Sequence, residues 1–345
     1  MFSETYMDKP ILGILLGDAA GVGPEIVAKV AAKGLLNEYC HPIIIGDARV
    51  LKLGMKIAEV DFPLDVIDDI DCANWSSGIP VFDQKNLNPE EIALGEVSPI
   101  CGKASGDMLV TAVNLYKEGK IHGFCFAPLN KGALKKAGFN YESEHYLFAH
   151  LFNWKEPFGE INVLDELWTS RVTSHIPVKE ISDRLSVETI LRAMRLVSKT
   201  LERAGMENAR IAVAALNPHA GENGLCGREE LDVIIPAMEE AKKLGINAVG
   251  PYPSDILFIK AFKGEFDAVV TMYHDQGQIA MKLKGFEQGI TIAGGLPAAI
   301  VTASHGTAYD IAGKGIAKTE AFENAVKMAA RIALSDRQRK ESNAS

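Results

Sequence analysis

Ile11-Leu12-Gly13-Ile14-Leu15-Leu16 runs directly into Gly17-Asp18-Ala19-Ala20-Gly21-Val22-Gly23-Pro24-Glu25. The apolar run reads as a buried strand, and the glycines permit a tight turn with close backbone approach. Pro24 suits the first turn of a helix, where its missing N–H leaves no bond unmade. A helix is therefore expected over 24–36, and its N-terminus can face an anion. The pattern is not the dinucleotide fingerprint, because Ile26 stands where GxGxxG requires its third glycine. A strand feeding a helix through a glycine-rich turn is the repeating unit of a parallel α/β sheet.

The same alternation continues along the chain. Short apolar runs at 43–46, 124–127, 211–216 and 268–272 read as strands. Helices are expected at 109–116, continuing from the glycine-rich 102–106, at 231–244 before Gly245, and at 320–334. The clearest helix is 185–204, where Val187, Ile190, Leu191, Met194, Val197 and Leu201 fall on one face. Residues 336–345 are polar and are expected to fray. The fold class is two interlocked α/β domains with mostly parallel sheets. One is expected over 1–135 and 302–345, and the other, with the metal ligands and dimer contacts, over 136–301.

At 345 residues the chain suits two domains, and 47% hydrophobic with 23% charged residues excludes disordered, collagenous and coiled-coil architectures. A net charge of −9 argues against nucleic acid, which needs a basic face, but leaves room for a locally basic site. The five cysteines show no CxxC spacing, so a disulfide framework or zinc ribbon is not expected. No run reaches the roughly 18 apolar residues of a membrane span. Met1-Phe2-Ser3-Glu4 shows no basic region followed by an apolar stretch and cleavage site, so a leader is not expected. A cytoplasmic location is expected.

Three histidines follow candidate strands. His175 comes after Leu167-Trp168-Thr169-Ser170-Arg171-Val172-Thr173-Ser174, His219 lies in Asn217-Pro218-His219-Ala220-Gly221-Glu222, and His274 lies in Tyr273-His274-Asp275-Gln276-Gly277. Ligand sites of parallel sheets form beyond the carboxyl ends of strands. Three imidazoles there can share one divalent metal and leave positions open for chemistry. Asp275 can orient His274 or take a proton, Asp255 stands nearby in sequence, and Lys282 can hold a carboxylate or carry a proton. His305-Gly306-Thr307-Ala308-Tyr309-Asp310 begins a glycine-rich loop able to wrap a cofactor with backbone groups.

Together these motifs resemble the 4-hydroxythreonine-4-phosphate dehydrogenase family of vitamin B6 biosynthesis. The likeness runs through 17–25, Ala127-Pro128-Leu129-Asn130-Lys131, Thr173-Ser174-His175, 217–222, 273–277, Gly295-Leu296-Pro297 and 305–308. The 305–317 stretch also resembles the cofactor loop of isopropylmalate and isocitrate dehydrogenases, which implies their broad fold. The resemblance implies a divalent metal (zinc, cobalt, magnesium or similar) on His175, His219 and His274. It implies NAD or NADP on His305, Gly306, Thr307, Ala308 and Asp310, and a homodimer with its site at the subunit interface. The reaction it implies oxidises a secondary hydroxyl beta to a carboxylate, with decarboxylation of the oxo acid, drawing on Asp255, Asp275 and Lys282.

The substrate side departs from the family pattern. Glu144 and His145 stand where the family has His and Thr, Thr291 where it has Asn, and Ile300 where it has Arg, while Lys282 is kept. Losing a guanidinium and gaining a carboxylate disfavours phosphate. The expectation is therefore altered specificity, with an unphosphorylated substrate such as a cis-dihydrodiol carboxylate. The alternatives are the true 4-hydroxythreonine-4-phosphate dehydrogenase, a 4-phospho-threonate or erythronate dehydrogenase, and a non-catalytic small-molecule binding protein.

Overall fold

The structure is a computed structural model that describes residues 9–285 and 287–344, the last two without side chains. Met1-Phe2-Ser3-Glu4 and Ser345 lie outside the described residues. The chain divides by contact into two compact units, Met1–Lys155 with Leu296–Ser345, and Glu156–Gly295. These bounds put residues 136–155 and 296–301 in the first unit, where the sequence reading had placed them in the second.

The first unit opens with strand β1 (Ile11–Leu15), then helices α1 (Gly23–Ala32) and α2 (Leu35–Tyr39), β2 (His41–Gly46) and α3 (Ala48–Ala58). It continues through β3 (Leu64–Ile67), β4 (Ile79–Asp83), α4 (Pro99–Lys117), β5 (Gly123–Phe126), α5 (Lys131–Lys136) and α6 (Glu144–Leu151). The second unit contains β6 (Gly159–Leu164), β7 (Leu167–Arg171), α7 (Ile181–Arg184), α8 (Val187–Arg203), β8 (Ile211–Ala214) and α9 (Ile235–Lys243). It closes with β9 (Ala248–Tyr252), α10 (Ser254–Ala261), β10 (Ala268–Thr271), α11 (His274–Gly285) and β11 (Ile290–Gly294). The chain then returns to the first unit with β12 (Ala299–Ala303) and α12 (Glu320–Ala344).

Strand order in the first unit is β3-β4-β2-β1-β5-β12, and every pairing is parallel. In the second it is β11-β6-β7-β10-β8-β9. There β7, β10, β8 and β9 run parallel, while β6 pairs antiparallel with both β7 and β11. The central strands carry continuous apolar side chains because helices cover both faces of such sheets, and Ile14, Ile44, Phe124 and Val301 are fully buried. In the second unit Leu164, Leu167, Ala212, Leu257 and Val269 share one core.

Several elements differ from the sequence reading for local reasons. The helix expected over 24–36 breaks into α1 and α2 at Gly34, which adopts φ 72°. Gly102 and Gly106 are not a lead-in but lie inside α4, one turn apart, where Ala133 and Phe139 pack against them. The helix expected over 231–244 begins with a wide π turn, Glu230–Ile234, before α9. Pro236 explains it, since proline offers no N–H to the carbonyl four residues back and its ring crowds that carbonyl. The fraying expected over 336–345 is not observed through Ala344, because α12 continues to that residue. On this helix Arg337 donates to the Lys9 carbonyl and Lys340 lies over Tyr116. Helix α8 does begin as its periodicity requires. Ser186 and Thr189 cap it reciprocally, and Ile190, Met194, Val197 and Leu201 are buried. Among the described residues no helix is long and apolar enough to cross a membrane, and all five cysteines are free thiols.

Candidate functional site

In the second unit, the segments leaving β7 and β10 are joined by hydrogen bonds. Val172 N–H donates to the Thr271 carbonyl (2.9 Å), and Thr173 donates to the Met272 carbonyl through its N–H (3.1 Å) and its hydroxyl (2.7 Å). This pairing sets His175 beside His274, with ring centroids 5.7 Å apart and the rings tilted at 43°. Asp275 Oδ1 lies 2.7 Å from His274 Nδ1. A carboxylate there holds the Nδ1–H tautomer and leaves Nε2 as the ring's acceptor. Gln276 ties in a third strand end. Its oxygen accepts the Met272 N–H (2.7 Å), and its amide donates to the Ala215 carbonyl (2.7 Å) and Ser254 Oγ (2.8 Å).

A second network lies beneath this pair. Arg171 donates through Nε to Ser174 Oγ (2.7 Å), through Nη1 to Asn162 Oδ1 (2.7 Å) and through Nη2 to Glu160 Oε2 (2.6 Å). Asn162 also accepts from Gln278, one turn beyond His274, and donates to Thr291 Oγ1 at 3.0 Å. Thr291 is therefore part of a buried polar cluster on β11. The sequence reading missed Glu160, Asn162, Arg171 and Gln278, because nothing local marks residues that meet from three different elements.

His219 sits on a turn of unusual hand. His219, Ala220, Gly221, Glu222 and Asn223 all adopt positive φ, between 42° and 76°. Left-handed backbone costs a non-glycine residue about 1–2 kcal/mol, so four such residues within a run of five mark an imposed conformation. Among the described residues, no group of three or more His, Cys, Asp or Glu side chains is placed to hold a metal ion. The rings of His175 and His274 are brought side by side, while His219 lies on the left-handed turn that follows β8. Asp255, on the first turn of α10, and Lys282, on α11, are both exposed.

In the first unit the 17–23 turn packs against the loop after β12. Val22 N–H donates to the Thr307 carbonyl at 3.0 Å, and a Cβ on Gly21 would lie 2.7 Å from that oxygen. Glu25, buried in the first turn of α1, accepts Lys29 Nζ and Ala317 N–H, each at 2.7 Å. A buried carboxylate thus sits in the first turn of this helix, whose N-terminus carries no side-chain cap. Asp18, 1% exposed, accepts the Tyr309 hydroxyl (2.7 Å) and the Ala20 N–H (2.9 Å). Burial raises the Asp18 pKa against the opposing pull of these bonds, and burial together with Asp18 pushes the Tyr309 phenol up. In the remaining loop His305 Nδ1 lies 2.9 Å from the Gly306 carbonyl, Gly306 has open space around it, Ala308 is left-handed, and Asp310 is exposed.

The substrate-side candidates of this unit differ in accessibility. Glu144 opens α6 and lines a small cavity with Lys131, Tyr141 and Ser143, while His145 is buried beside it. Ile300 is 1% exposed in β12, opposite Phe124 on β5, so its side chain belongs to the core and offers nothing to a ligand.

The profile of pyridoxal phosphate biosynthetic protein PdxA matches residues 38–329. A Rhizobium meliloti (strain 1021) protein provisionally named 4-hydroxythreonine-4-phosphate dehydrogenase 2 is 44% identical over 95% of each chain. An Oceanobacillus iheyensis protein provisionally named D-threonate 4-phosphate dehydrogenase is 42% identical over 94% of this chain and 98% of its own. The crystal structure of 4-hydroxythreonine-4-phosphate dehydrogenase from Klebsiella pneumoniae superposes with a TM-score of 0.84 at 35% identity, covering 94% of this chain and 98% of that one.

Proposed function

The chain belongs to the family of pyridoxal phosphate biosynthetic protein PdxA, dehydrogenases acting on CH–OH groups, and on that premise we propose that its substrate is a C4-phosphorylated hydroxy acid. The observation that carries this reading is the naming of relatives 42–44% identical over nearly the whole chain for 4-hydroxythreonine 4-phosphate or D-threonate 4-phosphate. The case for an unphosphorylated substrate rested on Ile300 and Glu144. Ile300 is a core residue, so its exchange for arginine does not describe a ligand contact. A dihydrodiol acid is thus not the substrate proposed.

In the proposed reaction the hydroxyl beta to the carboxylate would lose its proton to a base, and NAD or NADP, when bound, would supply the two-electron acceptor for the hydride on its carbon. The 3-oxo acid then loses CO2, with the C–C electron pair moving into the ketone and a proton completing the product. His305, Gly306, Thr307, Ala308 and Asp310 are proposed for the nicotinamide cofactor, whose phosphates need backbone donors and whose ribose hydroxyls suit an exposed carboxylate. Asp255, Asp275 and Lys282 are the proposed proton carriers, with Glu144, His145 and Thr291 on the substrate side.

His175 and His274 are the part of the expected metal set that one copy brings together, and a divalent cation would polarise the substrate hydroxyl. Asp275 would fix the His274 ring for that task. We further propose that His219 joins the set only when two copies pair. Ile256 and Ile259 on α10, with Ile279 and Leu283 on α11, are exposed at helical spacing and suit a homodimer contact.

The test is reduction of NAD or NADP by the purified protein on four substrates: 4-hydroxythreonine 4-phosphate, D-threonate 4-phosphate, D-threonate, and a cis-dihydrodiol carboxylate. Turnover confined to the phosphorylated pair is expected. Preferred turnover of either unphosphorylated acid would refute the proposal, and no turnover on any of them would return the chain to the binding-protein alternative.

A further inference from the structure

The left-handed turn that carries His219 is held at its start by a buried carboxylate. Glu230 is 1% exposed, and its Oε1 accepts the backbone N–H of both Leu216 and Asn217 at 2.8 Å. Its Oε2 accepts the Asn217 side-chain amide at 3.0 Å and faces Gly221, where an added Cβ would lie 2.6 Å away. One carboxylate thus takes three donors at the start of the turn and abuts its middle. Glu230 opens the π turn forced by Pro236, and that wide turn sets the direction from which the carboxylate meets the loop. Glu229 adds a second tether, accepting Asn217 Nδ2 and Ser182 Oγ at 2.6 Å each.

We infer that Glu230 is a positioning residue: it holds the 217–223 turn in its left-handed form and so sets where His219 is presented. Strained backbone persists only where its surroundings over-determine it. Ala220, Glu222 and Asn223 are side chains that glycine could replace with less strain, so the chain keeps a rigid turn and supplies the restraint from Glu230. The inference rests on the proposed role of His219 in the dehydrogenase site. It goes further in naming the residue, outside every recognised motif, on which that role depends.

The experiment compares Glu230→Leu, Glu230→Gln, Gly221→Ala and His219→Ala in the full chain. It measures kcat and KM with D-threonate 4-phosphate or 4-hydroxythreonine 4-phosphate, and amide hydrogen exchange at Leu216 and Asn217. Glu230→Leu is expected to lower kcat/KM by about 10–100-fold, the usual effect of losing a residue that orients a site histidine, and to deprotect both amides. Glu230→Gln keeps an oxygen for the two N–H groups and is expected to restore amide protection and most of the activity. Should Glu230→Leu not fold, Gly221→Ala tests the same contact from the loop side, with loss of activity expected while Glu230 remains. Unchanged kcat/KM in both Glu230→Leu and Gly221→Ala overturns the inference, as does lost activity with both amides still protected. Full activity in His219→Ala defeats the reading of His219 instead, and the exchange data still report on the Glu230 anchor.

Discussion

Two turns of this molecule do the same job by opposite means. Residues 17–23 and 217–223 each lead the chain away from the carboxyl end of a parallel strand, β1 in one unit and β8 in the other. In the first, the left-handed position is given to Gly17, at φ 72°, and the turn is closed by Thr307 and by the Glu25 carboxylate. In the second, four non-glycine residues take left-handed conformations, and a buried glutamate holds them there. The first turn is close to what its sequence prefers, so its glycines announce it. The second is imposed by tertiary structure, and only coordinates show it.

The sharpest way to break the comparison is to remove the glycine from the relaxed turn. Gly17→Ala is expected to destabilise the protein by about 2–4 kcal/mol in urea unfolding, since its Cβ would meet the Ala127 carbonyl oxygen at 2.6 Å in a left-handed conformation. A neutral result would mean that the turn is not locked against β5. The reverse change in the strained turn carries the opposite sign. Ala220→Gly is expected to stabilise by about 1 kcal/mol, read as a higher urea midpoint, because glycine adopts φ 55° without a steric cost. A loss of stability there would show that Ala220 makes packing contacts worth more than the strain.

The smallest effect concerns Asp18, which ties the relaxed turn to Tyr309. Its folded pKa is raised from 3.8, chiefly by burial, so the folded state binds this proton more tightly than the unfolded state. Its stabilising contribution is complete below pH 3.8 and is lost as pH rises through the raised value. Asp18→Asn lacks that loss. The unfolding free energy of the variant relative to the parent should therefore improve between pH 3.5 and 7, and a difference constant with pH would contradict the assignment.

Much of the architecture was legible because it depends on local pattern. The runs that became β1, β2, β5, β8 and β10 are apolar and short, and α8 carries its buried face at helical spacing. The placement of His175 and His274 after β7 and β10 was also readable, since strand ends are where parallel sheets expose ligand sites. Other features depend on distant partners. Asn162 meets Thr291 across 129 residues, and β6 is recruited between β7 and β11 in antiparallel fashion. No periodicity in 159–164 specifies that pairing. Ile300 is instructive in another way. Counting along the chain aligned it with a ligand-binding arginine, but the β5 pairing places it opposite Phe124 in the core.

By itself, the sequence determined the α/β class, the family, the placement of His175 and His274 after strands and the glycine-rich loop that begins at His305, because each is written in the chemistry of neighbouring residues. Tertiary structure alone decided that His175 and His274 meet, that His219 lies on a strained turn, that Arg171 is committed to Asn162 and Glu160, and that Glu230 accepts the N–H groups at the start of that turn. The physical reason is that a hydrogen bond between distant segments leaves no local signature. It becomes visible only when packing has removed water and every buried donor must find its acceptor.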